Sequence, residues 1–179
     1  MPEIEIRPAI AADIPSLLAI DHTYTSDFAW QMDVQVEEGL MQVNFREIRL
    51  PRSVRVEYPR QVRTLSEGWT ERHGLLVALH QGEVVGYISL MLNIAPLTAW
   101  VTDLAVVRRL RRQGIGSALV LAGQEWGANH ACRRIVLELQ LKNHPAIQMA
   151  KKLGFDFCGY NDLYYPNHDI ALFFARPLR

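Results

Sequence analysis

The stretch from Ala99 to Ala128 constrains this chain more than any other. An apolar run, Ala99–Val107, passes into four arginines (108, 109, 111 and 112). Gly114-Ile-Gly116 then opens a segment whose apolar residues Ile115, Leu119, Ala122 and Trp126 recur at helical spacing. A strand that turns into a helix across a short basic loop leaves the first N–H groups of that helix without backbone partners. Glycines let the turn close tightly, the helix macrodipole adds about half a positive charge, and the arginines reinforce it. Such a turn can cradle a pyrophosphate. On this stretch alone a plainer reading stays open, in which two turn glycines sit beside a solvated basic face.

Two other phosphate-binding patterns fail. The pattern GxxxxGK[ST] is absent from the chain. A dinucleotide fingerprint finds a ribose-type acid in Glu138, 22 residues after Gly116, but Leu119 stands where the third glycine belongs. The strands before the loop are also wrong for that fold. Leu75–Leu79 and Val84–Leu92 flank His80-Gln81-Gly82-Glu83, a tight hairpin, and Ala99–Val107 follows after the Pro96 break. Three such strands make an antiparallel meander.

The remaining elements fall around this meander. Residues 3–8 read as a short edge strand ending at Pro8, and Asp13 starts a helix carrying Ile14, Leu17 and Leu18 on one face. Val43–Leu50 and Val54–Tyr58 read as β segments joined at Pro51-Arg52-Ser53. Beyond the long helix come a buried strand, Ile135–Leu139, and a helix, Pro145–Leu153, with proline in its first turn and Gly154 past its end. Phe157–Tyr160 and Ile170–Phe174 form a last hairpin. The order β-α-(β hairpin)-β-α-β-α-β-β describes one α+β domain over residues 1–179: a mixed, mostly antiparallel sheet flanked by helices.

Composition narrows the partners. Nineteen Lys+Arg balance nineteen Asp+Glu, so neither nucleic acid nor an acidic membrane is expected as a partner. The balance is uneven along the chain: residues 21–38 hold Asp21, Asp27, Asp33, Glu37 and Glu38 with no Lys or Arg, and residues 46–63 are rich in arginine. Cys132 and Cys158, without a CxxC pair, suggest two reduced thiols and no zinc or other metal site. The first residues lack a secretory pattern and no apolar run reaches the ~18 residues of a membrane span, so a cytoplasmic location is expected.

The basic loop then resembles a family. Arg111-Arg-Gln-Gly114-Ile-Gly116 fits the R/Q-x-x-G-x-G/A signature of the GNAT N-acetyltransferases, whose fold has the element order just read. Asn143-His-Pro-Ala146, followed by Gly154-Phe155, is similar to the family's N-x-x-A-x-x-x-(Y)-x-x-x-G-F helix and starts 27 residues after Gly116. The resemblance is good over residues 75–160, weaker over 3–20 and poor over 21–72. It implies acetyl coenzyme A as co-substrate. It also implies that the backbone at Leu104, Ala105 and Val106 pairs with the pantetheine arm. Residues Arg112, Gln113, Gly114, Ile115, Gly116 and Ser117 would hold the pyrophosphate, with Arg111 orienting the loop. Asn143 would touch the pantetheine or adenine side, a role compatible with capping its helix.

The reaction so implied is attack by a free amine on an acetyl thioester. Glu138 matches the position where the ribosomal-protein alanine N-acetyltransferase branch carries its general base; the other reading is a solvated or salt-bridged strand acid. The family's general-acid tyrosine should stand four residues before Gly154, where this chain has Ala150. Tyr160, Tyr164 and Tyr165 are the candidates to replace it; otherwise the thiolate leaves unaided or no catalysis occurs. The resemblance thus implies direct transfer in a ternary complex to a primary amine of a small molecule or peptide. The alternative is a non-catalytic acyl coenzyme A module. The acidic half of residues 21–72, with Trp30, either attracts a cationic amine or is a solvated helix face, and the arginine-rich half suits an acidic peptide or a second copy in a homodimer.

Overall fold

The computed structural model describes residues 2–178. The chain runs β1 (Glu5–Pro8), α1 (Ile14–Leu18), β2 (Tyr24–Glu37), β3 (Leu40–Val56), α2 (Thr64–Glu67), β4 (Gly74–His80), β5 (Glu83–Met91) and β6 (Thr98–Val106). There follow α3 (Ile115–Asn129), β7 (Arg134–Gln140), α4 (His144–Lys152), β8 (Asp156–Asn161) and β9 (Ala171–Pro177). Seven strands form one sheet in the order β1-β4-β5-β6-β7-β9-β8. Neighbours are antiparallel except β6 and β7, which run parallel, so the sheet is mixed and mostly antiparallel. The fold class is α+β.

Both faces of the sheet are covered, which is why β5 is buried without interruption from Val85 to Leu90. α3 lays Ile115, Leu119, Val120 and Gly123 on one face, over Ile88, Leu90, Ile135 and Leu137. α4 adds Ile147 and Ala150 to the same core. The opposite face carries a smaller core of Ile14, Leu17 and Ile20 against Leu65, Val77 and Tyr87. Burial of these side chains contributes roughly 1.5–3 kcal/mol each before the cost of ordering the chain. No helix among the described residues is long and apolar enough to cross a membrane.

Residues 21–72 depart from the sequence reading. The acid-rich segment is no helix face: β2 pairs with β3 as a separate two-stranded ribbon, of 14 and 17 residues. Asp27, Asp33 and Glu37 are spaced along a strand whose apolar alternation is too weak to signal itself. The two expected β segments around Pro51 belong to one strand, but pairing jumps there from Ser26↔Val54 to Phe28↔Arg49, so Leu50–Ser53 bulges out. The ribbon leans on α4. Trp30 N–H donates to Leu141 C=O at 3.1 Å, Phe28 packs on the His144 ring at 4.7 Å, and Glu47 meets His144 Nε2 at 3.1 Å.

Candidate active site

β6 and β7 pair only from Thr98↔Arg134 to Val101↔Leu137. β6 continues to Val106 and β7 to Gln140, so beyond that last rung the two strands part. The gap is a cleft of about 450 Å³ lined by both strands, the Arg108–Ser117 loop, the start of α4, and residues His22, Tyr24 and Tyr58–Arg60. Val107 N–H donates to Val85 C=O at 2.8 Å on the β5 side. By the alternation of an antiparallel ladder, Ala105 also spends its backbone on β5, whereas Leu104 and Val106 turn theirs to the cleft. Arg111 Nε takes the Val106 carbonyl at 2.8 Å. The N–H groups of Leu104 and Val106 and the Leu104 carbonyl are therefore the open edge of β6.

The basic loop closes one end of the cleft. Gly114, the N-cap of α3, sits at φ +90°, in the left-handed region that a side chain strains, and Arg112 is at φ +64°. Among the described residues, none of the six N–H groups from Arg112 to Ser117 donates to another backbone group. Six free donors at a helix start, beside open strand backbone, fit the pyrophosphate and pantetheine of coenzyme A. The side chains divide the work unevenly. Arg111 is a strap: besides Val106 it bonds the carbonyls of Thr23, at 2.6 Å, and Asp21. Ile115 is buried in the core, Gln113 bonds the Arg109 carbonyl at 3.2 Å, and neither of these two expected residues lines the cleft, as Arg112, Gly114, Gly116 and Ser117 do. Asn143 caps α4, its Oδ1 accepting from Ala146 N–H at 3.2 Å, which leaves its Nδ2 for the cleft.

Glu138 stands one residue past the last β6–β7 rung, its side chain fully buried. Trp100 Nε1 donates to Oε2 at 2.9 Å and Tyr164 Oη donates to the same oxygen at 2.8 Å. Arg60 Nη2 donates to Oε1, while its Nη1 donates to the Thr102 carbonyl at 3.0 Å. The Arg60 guanidinium also lies 5.2 Å from the centroid of Tyr165. Burial is the largest single influence and would lower the Arg60 pKa, but the Glu138 charge, its hydrogen bond and the nearby Tyr165 and Tyr164 together outweigh it, and the net shift is upward. Burial and the same carboxylate push the Tyr164 phenol up to about 12. The neighbouring Asp103 is buried and held by Arg72 at 2.8 Å and by Thr102 Oγ1 at 2.8 Å.

Two more groups line the cleft from segments without motif. Tyr24 Oη donates to Gln140 Oε1 at 2.8 Å, and Gln140 Nε2 donates to Asp169 at 2.9 Å. His22 lies between the Ile20 carbonyl, 2.7 Å from Nδ1, and Tyr87 Oη, 2.9 Å from Nε2. Burial holds its pKa below the usual histidine value. His22, Tyr24 and Arg60 have no sequence signal beyond being polar or aromatic in unpatterned stretches, and Trp100 and Thr102 are members of the Ala99–Val107 run that nothing in its pattern marks out. Of the candidate tyrosines, Tyr165 lines the cleft, Tyr164 serves Glu138, and Tyr160 packs on Phe45 at 5.2 Å out on β8. The acidic wall does not form. Asp27 bonds Ser53, Asp33 faces Arg46 at 3.5 Å, Asp21 faces Arg108 at 3.9 Å, and none of the five acids of 21–38 lines the cleft.

Comparison with known proteins identifies the family and the fold. Residues 42–155 match the model of the acetyltransferase (GNAT) family. An N-alpha-acetyltransferase of Sulfurisphaera tokodaii is 34% identical over 113 residues, covering 57% of this chain and 68% of that protein. The structure of nourseothricin acetyltransferase superposes with a TM-score of 0.82 at 20% identity, over 98% of this chain and 99% of the other. A Bacillus anthracis structure named for streptothricin acetylation, in complex with acetyl coenzyme A, gives 0.78 at 20% identity over the same shares. At those identities the structural likeness speaks for the fold. The family match and the related sequences displace the non-catalytic alternative raised by Ala150: this chain belongs to the GNAT family and is an N-acetyltransferase whose acetyl donor is acetyl coenzyme A.

Proposed function

We propose that the enzyme acetylates a primary amine of a small molecule or peptide by direct attack within a ternary complex. The observation that carries this reading is the placement of Glu138: it stands at the apex of the cleft, where the open edge of β6 ends and the aromatic wall of Tyr24, Tyr58 and Tyr165 begins. Neither Cys132 nor Cys158 lines the cleft, so no thiol is placed to carry the acetyl group. The amine nitrogen bonds the thioester carbon, the C–S bond breaks, the sulfur leaves as thiolate, and the amine proton passes to Glu138. Leu104 and Val106 align the donor's arm through backbone, the N–H groups of 112–117 hold its pyrophosphate, and Asn143 adds an amide donor. Positioning supplies much of the rate, because the thioester is already activated.

Ala150, with a methyl group where the family carries a phenol, leaves that position of α4 without a proton donor for the thiolate. A thiol with a pKa near 8–9 can depart as the anion. Similarity to an N-alpha-acetyltransferase supports a peptide α-amine, while the nourseothricin enzyme's fold supports a small molecule. A panel of both amine types, read by coenzyme A release, tests the reading. Acceptor-dependent release from at least one type is expected; release that no amine stimulates contradicts it.

A further inference from the structure

Pairing between β6 and β7 ends at Val101↔Leu137, and Arg60 spans the next residue of each strand, Thr102 through its carbonyl and Glu138 through Oε1. With the face of Tyr165 beside it, the guanidinium has a carboxylate oxygen, a carbonyl oxygen and an aromatic ring. Those are the three kinds of partner that hold an organic cation. The other carboxylate oxygen, Oε2, is taken by Trp100 and Tyr164. An amine that is to hand its proton to Glu138 must therefore come to Oε1, the oxygen that Arg60 holds.

Resting on the reading of Glu138 as proton acceptor, we propose that this is the acceptor's ammonium subsite and that Arg60 is its built-in competitor. The incoming amine displaces the guanidinium from Oε1. Arg60 has a way out, because its side chain remains 27% exposed at the cleft mouth while that of Glu138 is fully covered. The subsite balances one positive charge. The other carboxylate that lines the cleft, Asp103, is already paired with Arg72. Tyr24, Tyr58, Pro59 and Tyr165 line the same cleft. This selects amines with a single charge and an apolar or aromatic body over polycations, which would need further acids.

Ethylguanidinium chloride, an unreactive cation, separates this proposal from the mechanism, since its binding requires no proton transfer. Its affinity is read by tryptophan fluorescence, to which Trp100 on Glu138 contributes, and by the rise in Tm it produces. In Arg60→Met it should bind at least tenfold more tightly than in the wild type, and Glu138→Gln added to that variant should abolish the gain. Arg60→Gln keeps hydrogen-bonding capacity without the charge, and it carries the same comparison if the methionine variant does not fold. Equal affinity in wild type and variants, or a gain that survives Glu138→Gln, overturns the subsite. Failure of Glu138 as base would appear elsewhere, as unchanged turnover in Glu138→Gln alone.

Discussion

A methyl group on Gly86 would stand 2.8 Å from the carbonyl oxygen of Ala105, closer than real side chains approach backbone. Gly86 on β5 faces Val106 in the ladder, so relief requires β6 to move at the residues that form the open edge of the cleft. Gly86→Ala should cost about 1–3 kcal/mol in urea unfolding. It should also raise the KM for acetyl coenzyme A. A variant that is destabilised with unchanged KM would show that this edge does not hold the donor.

Gly114→Asp places a strained, negatively charged residue at the centre of six free N–H groups. The left-handed conformation costs roughly 1–3 kcal/mol for most side chains, and the carboxylate repels a pyrophosphate. Calorimetric titration should find coenzyme A binding weakened beyond detection in a protein that still folds. Wild-type affinity would move the pyrophosphate site elsewhere.

Arg111 ties the loop to the segment after α1 through the carbonyls of Asp21 and Thr23, and to the end of β6 through that of Val106. Hydrogen bonds from a charged donor contribute about 1.5–3 kcal/mol each, less where solvent reaches them. Arg111→Met should therefore lower stability by about 2–3 kcal/mol in denaturant. The acetyl coenzyme A KM should rise with kcat little changed, because the strap positions the loop and not the reacting atoms. A fall in kcat alone would assign Arg111 a different part.

His22 is held neutral by burial, with its folded pKa below the unfolded value. At pH above the unfolded value near 6.5 neither state is protonated and the histidine adds no pH dependence. Below it the unfolded chain takes up the proton first, so stability falls as pH drops through the window down to the folded pKa. The wild-type Tm should fall more steeply between pH 7.5 and 5 than that of His22→Gln. Parallel curves would show that His22 keeps its ordinary affinity for the proton.

The loop and the helix cap proposed to hold the donor were legible in sequence because they are local. The loop from Arg108 to Ser117 and the cap at Asn143 each lie within one turn of chain, and glycine, arginine and asparagine there have conformational or charge requirements that few other residues meet. The meander and α3 were legible for the same reason, and α4 differs from its expected Pro145–Leu153 by one residue at each end. The acceptor half was illegible. Arg60 meets Glu138 across 78 positions and Tyr24 meets Gln140 across 116, and no spacing rule reaches that far. β2 was missed because its acids sit on a ribbon with little of its surface buried, so selection for core alternation is weak. Of the two readings left open for Glu138, the structure shows a salt-bridged strand acid, paired with Arg60, and the role of base is the one proposed above.

Steady-state kinetics of Glu138→Gln, with the best acceptor from the amine panel, tests the account most directly. General-base catalysis of this kind is worth roughly 10²–10⁴ in rate. The account predicts a fall in kcat within that range, unchanged coenzyme A affinity, and intersecting double-reciprocal lines for the wild type. A variant that turns over at the wild-type rate, or parallel lines signalling an acetylated enzyme, would contradict direct transfer at Glu138.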